Sequence, residues 1–286
     1  MQIAFLGEAR YPSPIARTVS DQVRIPVHIA QGPGTRSGPE LDFELAGPRA
    51  RLFFEAKRTR AGIVTCGGLC PGLNNVIRSL FMELHHIYGV PEVLGFRYGY
   101  QGLDPAGGAE PLVLNPDFVN NIHKDGGTVL GTSRGPVDIP AAVENLVRRK
   151  INILFTVGGD GTQRGANALY QEACRRGHEL SVVGVPKTID NDVAFVSRTF
   201  GYLTAVEEAR KVIDCAHTEA RSVQNGISLV KLMGRHSGFI AAGATVSSQD
   251  VNFTLVPEVS FGLEGPHGFL ARLKKRVLAR SHAVVV

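Results

Sequence analysis

The chain lacks the marks of several large protein classes. It holds only four cysteines, Cys66, Cys70, Cys174 and Cys215, in 286 residues. Cys66 and Cys70 are four apart with no second pair to match them, so no zinc site is expected. Four cysteines do not make a disulfide framework at this size, which points to a reducing, cytoplasmic setting. No apolar stretch approaches the ~20 residues of a membrane-spanning helix, so no membrane partner is expected. The first ten residues do not have the layout of a signal peptide. Basic residues never run five or more together, which argues against a nucleic-acid partner. The formal charge of +5 suits attraction for a small anionic substrate instead.

Glycine is abundant, at 33 residues, and clusters where apolar runs end. That suits an α/β protein whose backbone closely approaches a ligand. Residues 1–58 read differently from the rest. Pro12, Pro14, Pro26, Pro33, Pro39 and Pro48 interrupt any long element, and 31–40 is a Gly/Pro/Ser loop. This part is expected to be an N-terminal extension with short local structure, packed on the main domain or making subunit contacts. From residue 59 onward a strand–loop–helix rhythm sets in. Strands are expected at 61–66, 151–157, 180–185, 227–233 and 282–286. Helices are expected at 73–88, 162–176, 202–220, 236–246 and 268–279. The alternation predicts mostly parallel sheets flanked by helices, with ligands bound beyond the carboxyl ends of the strands. The chain ends inside the last expected strand, so a second lobe is expected to be incomplete.

Four loops carry chemistry. Residues 67–74, Gly-Gly-Leu-Cys-Pro-Gly-Leu-Asn, follow a strand and open a helix; they form either a plain tight turn or a cradle of N–H groups for phosphate. Residues 127–135 form a second Gly/Thr/Ser loop, in which Arg134 is either a surface cation or a bridge between phosphates. In Gly158-Gly159-Asp160-Gly161-Thr162, Asp160 is either a helix cap or a carboxylate that holds Mg²⁺ among phosphates. In Val185-Pro186-Lys187-Thr188-Ile189-Asp190-Asn191-Asp192, two carboxylates sit two residues apart. One can take the proton of a sugar hydroxyl while the other supports the metal, and Lys187 can neutralise a phosphoryl in transit. A solvated Asp/Asn turn is the bland alternative.

Together these blocks resemble the 6-phosphofructokinase family. The matching stretches are GGLCPGLN (67–74), GYQGL (99–103), GGTVLGTSRGP (126–136), VGGDGTQRGA (157–166), VPKTIDND (185–192), VKLMGRHSGFIA (230–241) and VPE (256–258). GGDGT alone is also similar to NAD kinases and lipid kinases, whereas TIDND with MGR is far more specific. The resemblance implies that Gly67, Tyr100 and Arg134 contact the nucleotide phosphates and that Asp160 holds Mg²⁺. Gly161 and Thr162 would form the loop over the phosphoryl donor. Asp190 would be the base for the sugar 1-hydroxyl, supported by Thr188 and Asp192. Met233, Gly234 and Arg235 would contact the sugar phosphate. The implied reaction converts fructose 6-phosphate to fructose 1,6-bisphosphate in a homo-oligomer, dimer or tetramer.

On the donor the resemblance divides. Gly161 leaves room for the α-phosphate of ATP where pyrophosphate-using members carry aspartate, whereas Lys187 is typical of those same members. Glycine and lysine together resemble an ATP-dependent group of plants, trypanosomes and some bacteria that often carries an N-terminal extension. ATP is therefore the expected co-substrate, with the pyrophosphate-dependent form and a non-catalytic paralogue as alternatives. Gly226 departs from the short bacterial members, which carry an arginine there that reaches a neighbouring subunit's sugar phosphate. The family's later sugar-phosphate contacts lie beyond residue 286.

Overall fold

An apolar run, Arg60–Thr65 (β1), is buried along nearly its whole length, as a strand covered on both faces must be. A computed structural model describes residues 5–26, 42–106 and 108–286, and the expected loop at 31–40 lies outside them. The described chain divides into two units, Met1–Pro186 and Lys187–Val286.

In the first unit, β1 is central to a five-stranded sheet with Glu92–Phe96 (β2), Leu112–Val113 (β3), Ile153–Gly158 (β4) and Ser181–Pro186 (β5). The order is β3-β2-β1-β4-β5, parallel except for the short edge strand β3. Helix Leu73–Met82 (α1) joins β1 to β2, and its Leu73, Ile77 and Phe81 recur every four residues on the buried face. Its last turn widens into a π-helical stretch, Glu83–Ile87, so the helix expected to 88 is not α-helical throughout. Helix Ile139–Arg148 (α2) is capped by Asp138, whose Oδ1 accepts the Ala141 N–H at 3.0 Å. Helix Asp160–Arg175 (α3) leads from β4 to β5.

Two apolar layers result. Ile63, Ile77, Phe81 and Val93 pack with α1 on one face of the sheet. Val64, Phe96, Leu146, Leu154 and Leu169 pack with α2 and α3 on the other. From β1 the chain first goes outward to β2 and β3, then crosses back to β4 and β5. The loops after β1 and β4 therefore diverge from neighbouring strand ends, the usual place for a ligand crevice. The described residues before 59 belong to the first unit and hold short paired strands, Tyr11–Pro12 with Arg51–Leu52 and Arg24–Pro26 with Asp42–Glu44, and one 3-10 turn, Ala56–Arg58.

In the second unit, Gly226–Leu229 (β6) pairs in parallel with His282–Val285 (β7). Helices Tyr202–Ser222 (α4), Phe239–Ser248 (α5) and Phe269–Arg280 (α6) accompany them. Ala209, Ile213, Val230, Ile240, Ala244 and Val284 form the core of this unit. A side chain at buried Gly226 would strike the Ala220 carbonyl, so this backbone has no room for the arginine of the short bacterial members. The strand expected to 233 ends at Leu229, ahead of Gly234, whose φ of 115° needs glycine. The helix expected from 236 starts at Phe239. Its Gly238 N–H donates to the Glu258 carboxylate at 2.8 and 3.1 Å, and that charge suits a helix N-terminus.

Candidate functional site

In the first unit two of the four loops are sewn together beside the joined carboxyl ends of β1 and β4. The Cys66 N–H donates to Val157 O at 2.8 Å, the Gly67 N–H to Ser133 O at 3.0 Å and the Thr132 hydroxyl to Gly67 O at 2.7 Å. Buried Asn74 adds two bonds, donating to Asp125 O at 3.0 Å and accepting the Val129 N–H at 2.9 Å. Gly67 turns the chain with φ 82°, and its own N–H is engaged inside the protein. Exposed Arg134 lies over Gly68: a methyl group there would come within 3.0 Å of Arg134 Nη2. The two phosphate loops expected at 67–74 and 127–135 are thus one continuous, hydrogen-bonded rim with a cation above it.

The acidic loop crosses from β4 into α3. Gly159 is the cap residue, in extended conformation and without a side chain, and Asp160 is the first helical residue. The capping alternative for Asp160 is therefore not realised. Its carboxylate faces solvent and pairs with Arg164 Nη1 at 2.9 Å. An exposed pair of this kind is weak and easily exchanged for a cation. Among the described residues no group of three or more His, Cys, Asp or Glu could hold a metal. One open carboxylate at a helix N-terminus still fits Mg²⁺, which binds through one or two carboxylates together with phosphates and water. The glycines of this loop have different causes. A Cβ at Gly158 would overlap the Thr162 side chain, whereas at Gly161 it would meet nothing within 4 Å, and φ there is not positive. The fold requires glycine at 158 and not at 161.

Tyr100, expected to touch nucleotide phosphate, is buried, and its hydroxyl donates to Thr162 O at 2.7 Å. Burial first, then the neighbouring Cys66, push the phenol pKa up, so it stays a neutral donor. Thr162 is itself buried.

The second unit opens on the fourth loop. Lys187 is buried. Thr188 Oγ1 accepts the Asp190 N–H at 3.1 Å, and Asp190 O accepts the Ser237 hydroxyl at 2.9 Å. Asn191 adopts the left-handed conformation, φ 56°. Its Oδ1 accepts from Thr199 N at 2.8 Å and Thr199 Oγ1 at 3.3 Å, and its Nδ2 donates to Ser197 O at 3.3 Å. The bland reading, a solvated turn, does not hold: the loop is pinned from within, with Asp190 half-buried and Asp192 exposed. Asp190 Oδ1 is buried without a hydrogen-bond partner. Desolvation first, then the charge of Asp192, raise the Asp190 pKa, and Arg235 and Lys187 oppose them. A desolvated carboxylate with a free acceptor atom and two cations close by can accept a proton from a hydroxyl. Met233 and Arg235 are exposed on either side of Gly234.

Sequence reasoning passed over Asn74, Gln163, Asn191 and Ser237. Asn74, Asn191 and Ser237 lie inside recognised blocks, yet their bonds reach 6 to 55 residues along the chain, or 47 for Ser237, and leave no local pattern.

The phosphofructokinase family model matches residues 60–286. The chain is 56% identical over 215 residues to the ATP-dependent 6-phosphofructokinase of Trypanosoma brucei brucei, covering 75% of this chain and 44% of that protein. It is 47% identical over 272 residues to the enzyme of that name from Borreliella burgdorferi, covering 93% and 61% respectively. The match to that of Amycolatopsis methanolica is 43% identical and covers all of this chain and 65% of the relative. The chain thus spans about half to two-thirds of these relatives' length. Among solved structures, Pichia pastoris phosphofructokinase in the T-state matches with a TM-score of 0.70 at 26% identity, over 87% of this chain and 27% of that one. A strand order that switches direction between β1 and β4, a hydrogen-bonded glycine rim, a desolvated Asp190 and a family match over most of the chain agree: this protein belongs to the phosphofructokinase family.

Proposed function

We propose that the full protein transfers the terminal phosphoryl group of ATP to the 1-hydroxyl of fructose 6-phosphate, giving fructose 1,6-bisphosphate. The observation that carries this reading is Asp190, a half-buried carboxylate with an unpartnered buried oxygen and a raised pKa. Asp190 takes the hydroxyl proton as the oxygen attacks, while Thr188 and Asp192 support it. Lys187 and Arg235 offset negative charge, and Met233, Gly234 and Arg235 bind the sugar phosphate. The rim of Gly67 and Arg134 receives the donor's phosphates, with Gly161 and Thr162 over them and Tyr100 beneath. Mg²⁺, held by Asp160, would neutralise charge on the phosphates.

Gly161 supports ATP, since its emptiness serves nothing in the fold. The names of the relatives point the same way. Residues 1–58 act as an extension to the catalytic domain at 59–286, and the protein works as a cytoplasmic homo-oligomer, a dimer or tetramer. A coupled assay on the full-length protein compares ATP with pyrophosphate and includes Asp190→Asn. Activity with ATP, lost about 10²- to 10⁴-fold in the variant, is expected for a general base. An Asp190→Asn variant at full rate would overturn the assignment, and turnover with pyrophosphate alone would move the donor to the alternative form.

A further inference from the structure

The β4–β5 ladder ends where its last pair sets Gly158 against Pro186. Two carbonyls at this end take a side-chain donor. Gln163 Nε2 donates to Gly158 O at 2.9 Å and to Val185 O at 3.3 Å. Gln163 stands on the first turn of α3, directly after the acidic loop, so its amide folds back over the strand ends that the loop leaves. Gly184 makes room for it: a Cβ there would overlap Gln163 Oε1.

A second bond works at the other end of the same loop. The Tyr100 hydroxyl holds Thr162 O at 2.7 Å, and the ring occupies the space that a side chain at Gly165 would need. Between these two fixed carbonyls lies Gly159-Asp160-Gly161, which has no side-chain cap of its own. A loop with two glycines would lose much conformational entropy on meeting a ligand unless something had ordered it beforehand.

We infer that Gln163 is a positioning residue: it ties the carbonyls of Gly158 and Val185 at the ends of the two strands and, with Tyr100, holds the Gly159–Gly161 crest in the shape that receives the phosphoryl donor. It touches no reacting atom. The kinetic part of this inference rests on the phosphofructokinase reading above, and the structural part does not.

The test uses the full-length protein. Gln163→Met keeps the side chain's length without its donor. Gly184→Ala displaces the amide from an exposed position on the edge strand. Hydrogen exchange measured on the peptide around 156–165 is expected to quicken about tenfold in both variants. The kcat/KM for ATP is expected to fall about ten- to a hundredfold in both, with KM for fructose 6-phosphate changed less than about threefold. Gln163→Glu adds a pH readout. Its carboxylate would face two carbonyl oxygens, which favour the protonated form, the only one that can donate. Its ATP defect should therefore shrink between pH 8.5 and pH 6. Unchanged exchange in Gln163→Met overturns the inference. So does an equal loss towards both substrates, or a Gln163→Glu defect that is flat with pH. A wild-type protein that transfers no phosphoryl, with the exchange effect intact, would defeat the functional reading and leave the brace standing.

Discussion

Replacing Gly161 with aspartate separates what the fold needs from what the ligand needs. A Cβ at 161 meets no atom within 4 Å, the backbone is outside the left-handed region, and the residue sits in the first turn of α3. An acidic residue in that turn is favoured by the helix dipole, so Gly161→Asp should fold as well as the parent. The cost should appear only with donor bound. Two unit charges about 4 Å apart repel by about 1 kcal/mol in water and about 4 kcal/mol near a protein surface. At about 1.4 kcal/mol per factor of ten, the kcat/KM for ATP should fall between about fivefold and several hundredfold. Pyrophosphate, with no third phosphate, should be affected far less. The assay measures both donors at fixed fructose 6-phosphate, beside a thermal melt. Equal losses with the two donors would refute the reasoning, as would a melting point lowered by several degrees. Gly158→Ala is the opposite control: its methyl group collides with Thr162, and the melt itself should suffer.

Asp192→Asn removes a charge that raises the Asp190 pKa. A base works deprotonated, so the acid limb of the kcat/KM profile should move to lower pH; an unmoved limb would exclude Asp190 as its source. Asn191→Ala strips the bonds to Thr199 and Ser197 and leaves a non-glycine residue at φ 56°. A loss of about 1–3 kcal/mol in a denaturant titration is expected, with Asn191→Gly, which tolerates that φ, losing less of the backbone share. Asp160→Asn should raise the Mg²⁺ concentration for half-maximal rate and leave the melt unchanged, because its pair with Arg164 is exposed.

The sequence was legible wherever an apolar run met a glycine turn. β1, β4, β5, α3, α4 and α6 begin and end within two residues of expectation. β2 was missed because Pro91 and Gly95 break a short run. Gly95 is there for Leu130, whose side chain lies against it, and that contact spans 35 residues. α2 was missed although Asp138 and Pro140 are a readable helix start. At Asp190 the motif's carboxylate is half-buried with an unpartnered oxygen. At Tyr100 the block suggested a ligand contact, while the hydroxyl donates to Thr162 O. Motifs record which residues matter near a site; whether one faces the ligand or holds the wall depends on contacts between distant segments.

The left-handed turn at Asn191 bears on how the two neighbouring acids could change. Their unlike surroundings, one sheltered and one wet, come from a backbone bend tied to Ser197 and Thr199. Residues 190 and 192 carry the same side chain, so any difference in what the two acids can do belongs to their positions. A descendant of this protein that needed its sheltered acid at 192 would have to rebuild the knot first.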